Sequence, residues 1–112
     1  MTTIAPVQLV PPAQLGAADA AVYTVATLTT VKIGRAVFTN TSASAATITA
    51  GITTGGALSA STTMISAQAI APGASYVSPE LAGAVLPAGS ALRAFASVAA
   101  AVTFTVSGLT IV

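Results

Sequence analysis

The chain has 112 residues with 3 basic and 2 acidic side chains, a net charge of +1, and neither Cys nor His. That is enough for one domain with one modest core. The composition excludes disulfides, a clustered Lys/Arg footprint for nucleic acid, and the imidazole or thiolate pairs on which most catalysis rests.

Met1 to Gly16 reads as an extended N-terminal arm, because Pro6, Pro11 and Pro12 favour polyproline-like backbone. Ile4, Val7, Leu9, Val10 and Leu15 are too apolar for a solvated tail, so the arm is expected to pack along a neighbouring subunit; the alternative is a frayed terminus. Residues 17–112 form the folded domain. Ala17 to Ala20 is a short turn, and Val22 to Thr27 a strand with Tyr23 and Val25 on one face. The domain is organised around Val31 to Thr54, which reads as a β-hairpin with two long antiparallel arms. In the second arm Ile48, Ala50 and Ile52 alternate with threonines. In the first, Val31 and Ile33 share one parity and Ala36 and Phe38 the other, so a bulge at Gly34–Arg35 is expected to bring all four to one face. Asn40 to Ser44 is a cluster of turn formers whose side chains bond their own backbone.

Gly55-Gly56 reads as a flexible turn, and Ala57 to Thr63 as a loop or weak edge strand. Strands follow at Met64 to Ile70 and Ser75 to Ser78, separated by Pro72-Gly73. Glu80 to Ala84 is an irregular crossing, Val85-Leu86 a short strand and Pro87-Ala88-Gly89 a turn. Ala91 to Ala96 is a strand with Leu92, Ala94 and Ala96 on one face. Ser97 to Ala101 turns into the last strand, Val102 to Ile111, where Gly108 reads as a second bulge shifting the phase to Leu109 and Ile111. Only Gly16 to Tyr23 and Ser97 to Val102 leave room for a helical turn. About eight short strands with turns between them predict an all-β fold, a single antiparallel β-sandwich of jelly-roll or Ig-like type.

The most apolar window, Ala84 to Val102, contains Pro87, Gly89 and Arg93 and fails as a spanning helix. The first residues lack a basic region and are broken by prolines, so they do not read as a signal peptide. No membrane partner is expected.

No catalytic residue, cofactor or resident metal is predicted. Asp19 and Glu80 are the only acids, read as solvated loop carboxylates; Asn40 with backbone carbonyls offers at most a weak Ca²⁺ site. No Gly-rich loop cradles a phosphate. Lys32, Arg35 and Arg93 are either solubilising residues or anchors on a partner surface. If Leu92, Ala94 and Ala96 face inward, Arg93 and Phe95 face outward together, an arrangement expected at an interface hot spot. Only 4% of residues are charged, against about 25% in ordinary domains. Such a surface suits a protein inside an assembly. A core rich in Ala forgoes about 0.8 kcal/mol for each methylene it lacks, so subunit contacts are expected to add stability.

Tyr23-Thr24-Val25, Ala36 to Thr49 (AVFTNTSASAATIT), Leu86 to Ser97 (LPAGSALRAFAS) and Val102 to Val112 (VTFTVSGLTIV) resemble a family of small virion structural proteins of tailed phages. The resemblance spans Val22 to Val112; many members carry an acid where this chain has Ser90. It implies a β-sandwich placed on a capsid, neck or tail fibre. The first implied role is a capsid decoration (cement) protein, a homotrimer binding the major capsid protein or another virion protein at the capsid surface. The second is a neck, tail or fibre module binding a virion protein or host-surface carbohydrate; sugar sites usually need exposed aromatic platforms, and this chain has no Trp and only Tyr23 and Tyr76.

Overall fold

The computed structural model describes residues 3–54, 56–59 and 61–112. Met1 and Thr2 of the expected arm, Gly55 of the expected glycine turn and Ala60 lie outside the described residues. Nine strands and no helix occur among the described residues: β1 (Ile4–Gln14), β2 (Ala20–Thr24), β3 (Thr30–Asn40), β4 (Ala46–Thr53), β5 (Thr63–Ile70), β6 (Ser75–Val77), β7 (Val85–Leu86), β8 (Ala91–Ala96) and β9 (Val102–Ile111). They form two antiparallel sheets. One runs β1-β9-β3-β6, with β7 continuing along the same edge of β3; the other runs β2-β8-β4-β5. The first strand pairs with the last and the second with the next to last, and every connection except β4–β5 and β6–β7 crosses between the sheets. This is the order of a jelly roll, two Greek keys folded into a sandwich, and it decides between the two sandwich types expected.

Val31 to Thr54 is not a hairpin. β3 and β4 lie in different sheets: β3 pairs with β9, β6 and β7, and β4 with β8 and β5. The five residues between them form an arch across the sandwich. Both arms carry a fully apolar face, Val31, Ile33, Ala36 and Phe38 on one and Ile48 and Ala50 on the other, and all are buried. Side by side in one sheet they would still need a cover; facing each other they provide it. Phe38 stacks on Phe104 of β9, with centroids 4.5 Å apart and planes at 20°, a favourable aromatic geometry.

The arch is held by Asn40, whose side chain is wholly buried. Its Nδ2 donates to the carbonyls of Ser44 (2.8 Å) and Ile70 (2.9 Å). Its Oδ1 accepts from the Ser42 amide (2.9 Å) and Ser42 Oγ (2.7 Å). The side-chain-to-backbone bonding expected of this cluster is therefore present. With Oδ1 accepting two bonds, Asn40 has no lone pair left over for Ca²⁺.

The bulge in β3 is where the parity change requires it: Ile33 faces Gly108 and Arg35 faces Ser107, leaving Gly34 unopposed. The reason for glycine differs from expectation. A Cβ on Gly34 would meet nothing closer than the Ser107 carbonyl oxygen at 3.5 Å, and its φ is not left-handed. The demanding glycine is Gly108, where a Cβ would run into the Lys32 carbonyl oxygen. Gly108 is not a bulge of its own. β9 keeps strict alternation, so Leu109 and Ile111 lie on the outer face, opposite Lys32 and Thr30.

Residues 4–14 are extended, as expected, but they do not stand off as an arm. β1 pairs with β9 from Ile4–Ile111 to Gln14–Thr103, and Leu9, Val10 and Leu15 join the core. The prolines fit because an edge strand leaves alternate amides without ladder partners.

Candidate interaction surface

The residues singled out from the sequence fall on three regions. Of the four in β1, Leu9 and Val10 are buried in this chain's own core, while Ile4 and Val7 are exposed. Arg93 and Phe95 lie on the outer face of the second sheet, since Leu92, Ala94 and Ala96 are buried as their phase requires. Lys32 and Arg35 lie on the outer face of the first sheet. The two outward pairs are thus on opposite sides of the sandwich and make no common site.

Arg93 is tied within the chain through its Nε. Its Nε donates to Asp19 Oδ1 at 2.9 Å, and Asp19 Oδ2 accepts from the Leu58 amide at 2.8 Å. Asp19 therefore ties the start of β2 to β8 and to the β4–β5 loop, and is not the solvated loop carboxylate expected. The Leu58 amide, and then Arg93, hold its carboxyl below the usual carboxylate range. Phe95 is half-buried beside Thr49 of β4. Its outward phase is as expected, and its own sheet covers part of the ring.

Glu80 is also engaged. Tyr76 Oη donates to its Oε1 at 2.6 Å, and Ser78 Oγ approaches the same oxygen at 3.4 Å. The Tyr76 hydroxyl holds Glu80 below the usual range, and the same bond pushes Tyr76 up to about 12. Ser78 Oγ accepts from the Leu81 amide at 3.1 Å, which seats Leu81 in the core. The expected irregular crossing between β6 and β7 is thereby pinned along β3.

Both acids are thus satisfied within the chain. Among the described residues, Lys32 and Arg35 have no acidic partner within ion-pair reach. Their neighbours follow from the register. Ile4, Ile111 and Thr30 form one cross-strand row of the outer face. Pro6, Leu109, Lys32 and Val85 form the next, then Gln8, Ser107 and Arg35. Ile4 and Val85 are 60% and 57% exposed, so this end of the face presents apolar side chains around Lys32. Sequence reading found the two cations and Ile4 but missed Leu109, Ile111 and Val85. Unbroken alternation through Gly108 was the signal for the first two; the register of a two-residue strand left none for Val85.

No protein-family model matches the chain, and no curated protein matches it. Among solved structures, a chain of the infectious bursal disease virus structure (Gx strain) is similar in fold, with a TM-score of 0.55 at 15% identity over 99% of this chain. The match covers 32% of that chain, so this protein spans about a third of its length.

Proposed function

We propose that this protein is a structural component of a virus particle, specifically a decoration protein on the capsid shell of a tailed phage, acting as a homotrimer and without enzymatic activity. The observation that carries the reading is the jelly-roll order of the strands, an architecture used repeatedly in virus shells. Three further features support it. The solved chain of similar fold comes from a virus structure. Only 4% of residues are charged, which suits close packing among copies. The motifs from Tyr23 to Val112 resemble tailed-phage virion proteins.

In this reading the sandwich acts as a rigid clamp. A decoration protein stabilises a shell by binding the assembled form better than its separated subunits, so its effect follows from mass action. The test is reconstitution: particles lacking the protein are mixed with the purified chain and heated. Binding, with genome release moved to a higher temperature, is the expected result. Particles that do not bind the chain would count against a shell role, and binding confined to the tail would move it to the neck or fibre.

A further inference from the structure

We infer that the outer face of the β1-β9-β3-β7 sheet, at the end bearing Lys32, is a docking surface for a second virion protein that presents carboxylates among apolar side chains. This rests on the structural-virion reading above and names the surface and partner chemistry for it.

The bulge is the first observation. Lys32 and Arg35 differ in parity and in a regular strand would point to opposite sides of the sheet. The extra residue at Gly34 puts both outward, opposite Leu109 and Ser107 respectively. Those two are two residues apart on β9, so Lys32 and Arg35 are carried on adjacent rows whose backbone positions are about 7 Å apart. Like charges on neighbouring rows of one face repel each other.

Charge balance is the second. Asp19 is bonded to Arg93 and the Leu58 amide, and Glu80 to Tyr76. The chain's two acids are therefore committed, and its two unpaired cations share one face. A second copy of this chain has little to offer them: its Asp19 already pairs with Arg93, and its Glu80 is bonded to Tyr76. The complementary partner is a different, acidic chain.

The surroundings are the third. Pro6, Leu109 and Val85 flank Lys32 along its row, and Ile4 and Ile111 lie one row away. An apolar patch around a cation lowers the local dielectric when covered, which strengthens a carboxylate–ammonium contact. The free edges nearby do not compete for the partner: β1 carries three prolines, and β7 has two residues. Docking is face-on.

Lys32 is the chain's one lysine, which makes the test specific. A carbodiimide joins an amine to a carboxylate only in direct contact. Purified particles are treated with it, digested and mapped by mass spectrometry, and separate samples are acylated with an amine reagent. The expected result is an isopeptide between Lys32 and an Asp or Glu of another virion protein, with Lys32 shielded from acylation. In the isolated protein Lys32 should acylate freely. Lys32→Glu with Arg35→Glu should lower particle occupancy at least tenfold without changing the thermal midpoint, and Lys32→Arg with Arg35→Lys should restore it.

Other outcomes overturn the inference. A link to Asp19 or Glu80 of a second copy would make the face a self-contact. Shielding without a link would mean an occupant lacking carboxylates, such as nucleic acid. Unshielded Lys32 on decorated particles would leave the face open and the virion reading intact. Absence of the protein from particles would remove that reading itself.

Discussion

Asn40 carries more of this fold than any other polar side chain, because it bonds both the arch and the end of β5. Asn40→Ala leaves the Ile70 carbonyl unpaired in a buried position, which costs about 1–3 kcal/mol. Asn40→Asp keeps the shape but turns a donor into an acceptor facing two carbonyls, and should cost at least as much at neutral pH. Urea denaturation of the two variants checks both. Phe95 belongs at the same scale. Being half-buried on an outer face, Phe95→Ala should lower stability by about 1 kcal/mol, whereas Phe38→Ala, in the stacked core pair, should cost about 3–5 kcal/mol. Equal losses in the isolated chain would mean that Phe95 belongs to the core.

At the scale of elements, the β3–β9 contact turns on Gly108. Gly108→Ala should cost about 1–3 kcal/mol through forced backbone displacement, while Gly34→Ala should be neutral or stabilising by up to about 1 kcal/mol; thermal unfolding of the pair separates them. The crossing between β6 and β7 has its own signature. Glu80 lies below its ordinary value, so its contribution is present above pH 4.5 and lost as pH falls. Tyr76 is raised from 10.0 to about 12, so its contribution is present below pH 10.0 and lost as pH rises toward 12. Tyr76→Phe should abolish the alkaline loss and weaken the acid one, read from midpoints across that range. These elements also show what a sequence discloses. Which way residues face was legible for β8 and β3, because alternation with one bulge explains every buried position. Which strand each one pairs with was not. Alternation specifies a face, and Val31 to Thr54 satisfies it equally as a hairpin or as an arch. The prolines of β1 were read as a free arm because edge strands and extended arms tolerate them alike. The surface around Lys32 was legible only as cations and one apolar residue, since its remaining members meet through register.

On the scale of the whole molecule, the sandwich offers a partner its faces, not its edges. β1 carries prolines, β2, β6 and β7 are short, and β5 shifts register twice against β4, with Ala67 at a left-handed φ of 49°. These features blunt strand addition. Its charge is arranged to match: acids satisfied internally, two unpaired cations on one outer face. In the proposed role, such a protein would sit on a shell as a tile attached through a face. The measurement that tests this most directly is the copy number of the chain per purified particle, by quantitative mass spectrometry with imaging of the same particles. A decoration role predicts many copies, on the order of hundreds, distributed over the shell in threefold clusters. A count of a few copies confined to the tail, or none at all, would contradict it.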